Sequence, residues 1–284
     1  MTTPSKHVLI AGAAAACALA LAACSGGSNA QSAATEAADE AASAAASAAT
    51  TSDVSGEVTV FAAKSLTKAF DEIIATVVPE MYPDLKVNPP SYDGSNTLVE
   101  QIAQGAPADV LATADQKNMT AADEQGLVGA QTMFASNTLV LVTPADNPGN
   151  VTGFDESLAG KDLAVCAVGV PCGNASETLA KNLGKEDILA GAKTQEQNVG
   201  DVLSKVENGQ ADAGLVYKTD ATSAGDKVKT IQIEGAEKVI NDYPIAPVKA
   251  SANQEQAKAF IDVITSEKGQ AVLEKYGFAK PSAN

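Results

Sequence analysis

The sequence has 284 residues, of which 45% are hydrophobic, and it carries a formal net charge of −16. So acidic a chain lacks the basic surface that nucleic-acid binding requires. All 19 basic residues are lysines, so no arginine is available for a bidentate clamp on a carboxylate or a phosphate.

Histidine and aromatic residues are also scarce. The single histidine, His7, lies near the amino terminus, which argues against a Ser-His-Asp triad or a histidine-based metal site in a domain further along the chain. Tryptophan is absent and aromatic residues make up only 4% of the sequence, so few side chains are available to stack on sugars or nucleobases. Composition therefore disfavours a hydrolase, a sugar-binding protein and a nucleic-acid-binding protein.

Residues 1–24 have the pattern of an export signal peptide. A weakly basic start precedes an apolar run from Val8 to Ala23, and Cys24 with Ser-Gly-Gly follows. The segment Leu-Ala-Ala-Cys resembles the lipobox of bacterial lipoproteins, which implies cleavage before Cys24 and lipidation of its side chain. An ordinary leader or an uncleaved membrane helix are the alternatives, although the apolar run is short for a membrane span.

Residues 25–56 are rich in alanine and serine and contain no aromatic residue. Such a segment cannot bury enough apolar surface to offset its ordering entropy, so we expect a disordered tether. Together with the leader, it predicts a domain outside the cytoplasm, held at the cell membrane by a lipid anchor.

From Glu57 onward, strand-like and helix-like segments alternate, as is typical of an α/β domain. Helical spacing of apolar residues predicts helices that begin near residues 66, 98 and 199, and a carboxyl-terminal pair over 254–276 that breaks near 268–269. Apolar runs predict strands at 58–63, 109–113, 137–143, 162–168, 213–217, 229–233 and 239–248.

A region of this length is large for one core, so two lobes are expected. The segments 136–150 and 243–251 have the pattern of crossings between lobes. We therefore predict a first lobe at 57–138, a second lobe at 139–242 and a return to the first lobe at 243–284. Two crossings would make a hinge with a cleft between the lobes.

Several predicted strands end in polar residues where a helix begins. Ser65 follows the first strand, residues 94–97, 171–173 and 198–199 mark further helix starts, and Tyr217 ends another strand. In an open α/β sheet, ligands bind beyond the carboxyl ends of the strands, where helices begin with unpaired N–H groups. If these groups converge on one cleft, they form a cage of neutral donors for a small, fully deprotonated anion.

Each of these residues also has an ordinary structural interpretation. Ser65 could be a simple helix N-cap, and Thr97 with Glu100 has the spacing of a capping box. Asp93 could accept the proton of a protonated phosphate, although a solvated turn aspartate is the favoured interpretation. Lys64 could lend positive charge to the cleft, but the sequence favours a surface position.

Five stretches resemble the molybdate-binding proteins of bacterial ABC importers, across essentially all of residues 57–284. They are VFAAKSLTKAF (60–70), SNTLVEQIAQGAPADVLATADQKNM (95–119), VPCG (170–173), GLVYKTDA (214–221) and KYGF (275–278). The resemblance implies an α/β, two-lobed periplasmic-binding-protein fold (type II), with mixed sheets, helices on both faces and a two-strand hinge. It also implies a monomeric receptor for molybdate, and tungstate, that is not an enzyme, needs no cofactor, and serves a membrane permease and its ATPase.

The resemblance also implies a ligand set, with molybdenum bound as an oxyanion and not as a cation. By motif, the ligand contacts fall on the hydroxyl and backbone N–H groups of Ser65 and Ser95, the backbone N–H groups of Cys172 and Val199, and the hydroxyl of Tyr217. Asn96 is the alternative to Ser95, because a serine run is common in the family where Gly94-Ser95-Asn96 stands here. Lys64 departs from the family, in which a small residue usually precedes the first serine, and the position of Cys172 is often alanine.

Other ligands remain as alternatives. Sulfate and phosphate are oxyanions too, and ferric iron would need several phenolates, whereas only Tyr217 of the five tyrosines lies on a predicted ligand turn. Outside transport, the alternative is a lipoprotein with a structural or sensory role.

Cys166 and Cys172 are separated by five residues that span the turn before Cys172. Exported proteins are oxidised, so this spacing indicates a disulfide that holds the turn in place. The alternative is a pair of buried free thiols.

Overall fold

The structure, a computed structural model, describes residues 53–282. The predicted signal peptide (1–24), the lipidation residue Cys24 and nearly all of the predicted tether (25–56) lie outside the described residues. Within 53–282 there are twelve strands and ten α-helices. No helix in this range is both long enough and apolar enough to cross a membrane.

The elements alternate along the chain as the sequence predicts. The strands are β1 (Gly56–Val58), β2 (Val60–Ala63), β3 (Leu85–Val87), β4 (Ser91–Asp93), β5 (Val110–Ala112), β6 (Thr132–Asn137), β7 (Leu139–Pro144), β8 (Leu163–Cys166), β9 (Thr194–Glu196), β10 (Ala213–Tyr217), β11 (Val228–Ile231) and β12 (Asn241–Pro247). The helices are α1 (Thr67–Thr76), α2 (Val78–Met81), α3 (Ser95–Ala103), α4 (Gln116–Glu124), α5 (Pro171–Leu183), α6 (Glu186–Ala190), α7 (Val199–Glu207), α8 (Lys218–Ala224), α9 (Gln254–Thr265) and α10 (Glu267–Lys275).

Most strands belong to two five-stranded mixed sheets. Sheet I has the order β4-β2-β5-β12-β6 and sheet II has the order β11-β7-β10-β8-β9, while β1 and β3 form a small separate pair. In each large sheet three neighbouring strands are parallel, the fourth (β12 or β7) runs antiparallel to them, and the fifth (β6 or β11) is antiparallel to the fourth. Strands β2 and β10 are buried along their whole length, as expected for strands covered on both faces. This arrangement confirms the predicted mixed α/β fold.

The chain passes between the two sheets twice, at neighbouring positions. The first passage is at Thr138, between β6 of sheet I and β7 of sheet II. The second is at residues 232–240, between β11 of sheet II and β12 of sheet I. Asn137 and Asn241 pair in the β6–β12 ladder, so the two passages lie side by side. The predicted crossing at 243–251 is wrong, because residues 243–247 already belong to β12 of sheet I, which begins two residues before the predicted boundary at 242–243. The assignment of the sheets to separate lobes stays a prediction.

Several elements differ from the sequence-based expectation. The predicted strand 58–63 is divided at Thr59 into β1 and β2, and the short strands β3, β4, β6 and β9 were not predicted. The carboxyl-terminal helices break at Ser266, whose hydroxyl accepts a hydrogen bond from the Gly269 N–H (3.1 Å), and not at 268–269. The capping box at Thr97 and Glu100 is wrong, because α3 begins at Ser95 with Gly94 as its N-cap and no side-chain cap bond.

An aromatic cluster supports sheet I behind the strand ends. Phe70, Phe134 and Phe260 pack with ring centroids 5.8–5.9 Å apart, and Tyr243 contacts Phe134 and Phe278 at 6.2 and 5.4 Å. Tyr243 also lies edge-on to Tyr217 of sheet II, at 6.1 Å. The packing of the core therefore places two tyrosines where the two sheets meet.

Candidate oxyanion site

One small cavity lies where the helix starts that follow sheet I face those that follow sheet II. The volume open to the centre of a water-sized sphere is about 10 Å³. This is far below the roughly 300–1,000 Å³ of a site for a drug-sized ligand and close to the roughly 10–15 Å³ that one water needs. Only a compact ligand could therefore enter, and only with some separation of the walls. Its lining residues are Ala63, Lys64, Ser65, Asp93, Gly94, Ser95, Ala114, Val170, Pro171, Cys172, Asn198, Val199 and Tyr217. All five ligand residues predicted from the sequence are among them.

Sheet I contributes two buried serines. Ser65 lies in a 3-10 turn that joins β2 to α1, and its hydroxyl makes a hydrogen bond with the Tyr243 hydroxyl (2.9 Å). The turn has no side-chain cap, so the interpretation of Ser65 as a simple N-cap is wrong. Ser95 is the first residue of α3, and its Oγ accepts a hydrogen bond from the Ala114 N–H (3.0 Å). Both serines thus present a hydroxyl at the start of a helix, where the backbone N–H groups lack intrahelical partners.

Sheet II contributes two backbone N–H groups. Cys172 follows Pro171 in the first turn of α5, and Val199 is the first residue of α7, whose N-cap Asn198 accepts from the Asp201 N–H (3.0 Å). N–H groups in these first turns have no carbonyl partner within their own helix, and the helix dipole favours an anion there. The side chains of Cys172 and Val199 are buried in the core, so the sequence at these places serves packing, and what remains to offer a ligand is the backbone N–H.

A disulfide holds the turn before Cys172, as the sequence predicts. Cys166 ends β8 and is bonded to Cys172, with their Cα atoms 5.6 Å apart. A Cβ at Gly173 would lie 2.0 Å from the Ala167 carbonyl oxygen, so the chain doubles back too tightly for any side chain at this position. The path of the backbone around Cys172 is therefore fixed both by a covalent bond and by close packing.

Tyr217 ends β10 and is fully buried. Its hydroxyl oxygen accepts a hydrogen bond from the Asn241 amide (3.0 Å). Burial, with the nearby Tyr243, Asp115 and Asp220 as smaller contributions, holds the pKa of Tyr217 well above its usual value. The phenol therefore stays a neutral hydrogen-bond donor at any physiological pH.

Two further polar residues near the cavity differ from their favoured interpretations, and a third was only an alternative. Asp93 is half-buried rather than solvated, and its Oδ1 accepts from the Gly94 N–H (2.7 Å) and from the Asn198 amide (3.2 Å). Lys64 is also half-buried and lines the cavity, with its stem so close to α7 that a Cβ at Gly200 would lie 2.8 Å from Lys64 Cγ. Asn96, the alternative to Ser95, is not a lining residue.

Contacts between the two walls close the cleft. Besides the Asp93–Asn198 bond, the Asn174 amide of α5 donates to Asp115 Oδ2 (3.1 Å) at the start of α4. A Cβ at Gly94 would lie 2.2 Å from the Gln197 carbonyl oxygen, so only glycine permits this approach of the two walls. The two walls thus touch through contacts that a wider opening would break.

The residues behind the lining were not identified from the sequence. Asn241 donates to Tyr217 and to the Ala114 carbonyl oxygen (2.9 Å), and the Asn137 amide donates to the Tyr243 hydroxyl (3.4 Å). Asn241 and Tyr243 belong to β12, and polar side chains at the start of an otherwise apolar strand are the one signal that could have indicated them.

A larger groove elsewhere has a structural explanation. A groove of about 410 Å³ lies beside Asp109, in the Gly-Ala-Pro-Ala-Asp segment on which the family resemblance partly depends. Asp109 there accepts hydrogen bonds from the Thr59 N–H (2.6 Å) and the Ser251 hydroxyl (2.5 Å), so its role is structural. Asp109 immediately precedes β5, whereas Ala114 and the candidate site lie beyond the other end of that strand. Among residues 53–282, no group of three metal-ligating side chains occurs.

The chain forms two sheets joined by two adjacent passages, and helix starts from both sheets meet at one small cavity. This architecture defines a receptor for a small solute. The chain belongs to the family of bacterial extracellular solute-binding proteins, whose model matches residues 58–279. The family places the protein outside the cytoplasm and among binding proteins rather than enzymes.

Individual relatives agree with this assignment and with the resemblance found in the sequence. The molybdate-binding protein ModA of Mycobacterium tuberculosis is 39% identical over 226 residues, which are 79% of this chain and 85% of the relative. ModA of Escherichia coli is 33% identical over 78% of this chain and 89% of its own length. The periplasmic molybdate-binding protein of Azotobacter vinelandii shares the fold, with a TM-score of 0.69 at 23% identity over 79% of this chain and 100% of that structure.

Proposed function

We propose that the protein captures molybdate, and tungstate, in the cavity between the two walls. The observation that carries this proposal is the convergence of Ser65, Ser95, Cys172, Val199 and Tyr217 on one small cavity. These residues offer hydroxyl and backbone N–H groups, which suit an anion with four unprotonated oxygens. Relatives with 39% and 33% identity that are named molybdate-binding proteins support the choice of ligand.

Short-range dipoles, and not long-range attraction, supply the affinity. With a net charge of −16 the protein repels an approaching anion, and Lys64 is the one cationic side chain that lines the cavity. Inside a closed site, hydrogen bonds to a charged oxygen are stronger than in water. Affinity should therefore vary with salt only as simple screening requires. A steep loss of affinity with salt would contradict this account.

Delivery of the ligand to an ABC permease and its ATPase completes the proposed role. Residues 57–138 with 243–284 would form one lobe and 139–242 the other, and the passages at Thr138 and 232–240 would act as the hinge. The cross-cleft contacts of Asp93 and Asp115 support a closed form that an opening motion would separate. A monomer suits a receptor that works by closing.

The amino-terminal segment would hold the receptor at the membrane. We propose that residues 1–24 are removed, that Cys24 is lipidated, and that residues 25–56 form a flexible tether. In a bacterial host, a Cys24→Ala variant should lose incorporation of a labelled fatty acid and move out of the membrane fraction. Retention of the label would contradict the assignment of Cys24.

Thermal unfolding with different oxyanions tests the ligand. At a ligand concentration about a hundredfold above Kd, binding stabilises by about 2.7 kcal/mol, which raises Tm by about 5–10 °C for a domain of this size. We expect this rise with molybdate and tungstate and none with sulfate or phosphate. A rise with sulfate alone would identify a different oxyanion receptor, and no rise with any oxyanion would contradict the proposal.

A further inference from the structure

The direction of each cavity hydroxyl follows from the hydrogen bond that its oxygen accepts. Ser95 Oγ is bonded to the Ala114 N–H (3.0 Å), and a backbone N–H can only donate. The oxygen of Ser95 is therefore the acceptor in that bond. Its own proton is left for the cavity that Ser95 lines.

The Tyr217 hydroxyl is oriented in the same way by Asn241. The Asn241 amide contacts the Ala114 carbonyl oxygen (2.9 Å), which can only accept, so the atom that faces it must be the Nδ2 amino group. The same amino group donates its second hydrogen to the Tyr217 oxygen (3.0 Å). The Tyr217 proton is thus free to donate into the cavity.

Ser65 is oriented by a chain of two side chains. The Thr138 N–H donates to Asn137 Oδ1 (3.0 Å), so the other end of this amide is Nδ2, which donates to the Tyr243 oxygen (3.4 Å). Tyr243 is fully buried, and Ser65 Oγ at 2.9 Å is the remaining partner for its proton among the described residues. Ser65 therefore accepts from Tyr243 and directs its own proton to the cavity.

We propose that Tyr243 and Asn241 are positioning residues that determine the specificity of the site. They alternate on β12, so both project from the same face of that strand, and each occupies the oxygen of a cavity hydroxyl. Because each oxygen already accepts one hydrogen bond from the protein, its own proton is directed to the cavity, and an oxyanion that carries its own O–H meets a proton where it needs an acceptor. The site would select fully deprotonated tetrahedral oxyanions and reject hydrogen phosphate.

The one carboxylate at the cavity is already engaged. Asp93 Oδ1 accepts from the Gly94 N–H and the Asn198 amide, so this oxygen is occupied by one donor from each wall. An Asp93→Asn variant shows whether an acceptor for a protonated ligand comes from the Asp93 carboxylate or from one of the cavity hydroxyls. If Asp93 received the proton of a bound hydrogen phosphate, the wild-type protein would bind phosphate and this variant would not.

A double-mutant cycle tests the role of Tyr243, which rests on the proposed function. Tyr243→Phe keeps the ring contacts with Phe134, Tyr217 and Phe278 but removes the donor to Ser65. Calorimetric titration with molybdate should show affinity reduced about tenfold. In a Ser65→Ala background the same change should have less than about a threefold effect, because Tyr243 acts through that hydroxyl. Tyr276→Phe, which removes a phenol bonded to Glu72 (2.8 Å), is the control and should leave affinity unchanged.

The ratio of the affinities for molybdate and hydrogen phosphate shows whether Tyr243 orients the Ser65 hydroxyl or only supports the structure of the site. Hydrogen phosphate is measured by competition against bound molybdate. Tyr243→Phe should narrow the preference for molybdate over hydrogen phosphate by about tenfold or more, since the Ser65 hydroxyl is no longer held in one orientation and can turn to accept. Ser65→Ala should weaken molybdate binding without helping phosphate. Equal losses from Tyr243→Phe in both backgrounds, with an unchanged ratio, would overturn the inference.

A second cycle and two further outcomes make the test complete. Asn241→Ala in the wild-type and Tyr217→Phe backgrounds repeats the measurement without Tyr243, should that variant fail to fold. If the wild-type protein binds sulfate but not molybdate, the proposed ligand is wrong and the cycles are run with sulfate. If it binds hydrogen phosphate as tightly as molybdate, the inference is wrong while the receptor function stands. Binding of no oxyanion would overturn both.

Discussion

Sheet I and sheet II share one plan but bring different kinds of donor to the cavity. In both, an edge strand, a central strand and a third strand run parallel toward the cleft. The middle strands of these parallel triplets, β2 and β8, lead to Ser65 and Cys172. The edge strands β4 and β9 lead to Ser95 and Val199. The wall that follows sheet I therefore donates through side-chain hydroxyls as well as the backbone, while the wall that follows sheet II relies on backbone N–H groups at these two places.

The third parallel strands differ in another way. Strand β5 leads to Asp115, which accepts hydrogen bonds from the Asn118 N–H (2.9 Å), the Asn118 amide (2.8 Å) and the Asn174 amide (3.1 Å). Strand β10 leads to Tyr217, behind which the buried Asp220 accepts from the Tyr217 N–H (3.1 Å). A hydroxyl can be turned by its neighbours, whereas a backbone N–H can be turned only by moving the chain. The two walls should therefore respond differently to substitution.

The largest effect is expected where the two walls touch. Gly94→Ala would place a Cβ 2.2 Å from the Gln197 carbonyl oxygen across the cleft, so the walls could not close. Affinity for molybdate should fall at least about a hundredfold, because the donors of one wall lose contact with the ligand. The free energy of unfolding without ligand should change by less than about 1 kcal/mol, since the clash lies between the walls.

Gly191→Ala is the matched control for Gly94→Ala. Gly191 has φ −77°, and a Cβ there would have nearest neighbours at 3.4 and 3.5 Å. Titration and thermal unfolding should both match the wild-type protein. Near wild-type affinity of Gly94→Ala would show that binding does not need this degree of closure.

The next effect concerns the buried carboxyl behind the second wall. Burial raises the pKa of Asp220 from 3.8 to about 7, although the hydrogen bond from the Tyr217 N–H opposes the shift. Between pH 4 and pH 7 the native protein therefore holds a proton that the unfolded chain has released. Stability should fall as pH rises through this window, by an amount on the order of 2–4 kcal/mol. Urea unfolding at a series of pH values measures this loss of stability. Asp220→Asn should abolish the loss, while Asp226→Asn on the exposed surface should leave it unchanged.

A paired substitution sharpens the contrast between the two kinds of donor. Ser95→Ala removes a hydroxyl donor to a charged ligand, which should cost about 1.5–3 kcal/mol of binding free energy. Val199→Ala, at the corresponding place in the other wall, keeps the backbone N–H and should change affinity less than about threefold. Calorimetric titration with molybdate measures both. Similar losses in the two variants would mean that the second wall also depends on its side chains.

The sequence indicated the cavity residues because the signal for each is local. Ser65, Ser95 and Val199 stand where a helical pattern begins, and that position fixes where the backbone points. The short strands β3, β4 and β9 were missed because three residues at a sheet edge carry no hydrophobic pattern. Strand β6 was missed because Thr-Met-Phe-Ala-Ser-Asn runs directly into the apolar segment of β7, and the change of sheet occurs at one residue, Thr138.

The residues that orient the hydroxyls could not be found from the sequence in this way. Tyr243 lies 178 positions from Ser65, and Asn241 lies 24 positions from Tyr217. The first contact joins distant segments of sheet I and the second joins the two sheets, and no periodicity records such contacts. The sequence likewise placed Asn137 in the predicted strand 137–143 but gave no sign that its amide donates to the Tyr243 hydroxyl.

The smallest effect is expected from the covalent tie in the second wall. The turn that carries Ser65 is held by its hydrogen bond to Tyr243, whereas the turn that carries Cys172 is held by the disulfide to Cys166. Replacing both cysteines with serine opens a small loop, so the free energy of unfolding should fall by about 2 kcal/mol. The Cys172 N–H itself remains, so affinity should fall only about threefold to tenfold, through the freedom that the turn regains. Treating the wild-type protein with a reductant should reproduce both changes and leave the double variant unaffected. An affinity loss as large as that of Ser95→Ala would show instead that the disulfide determines where the Cys172 N–H points, and that the second wall is as adjustable as the first.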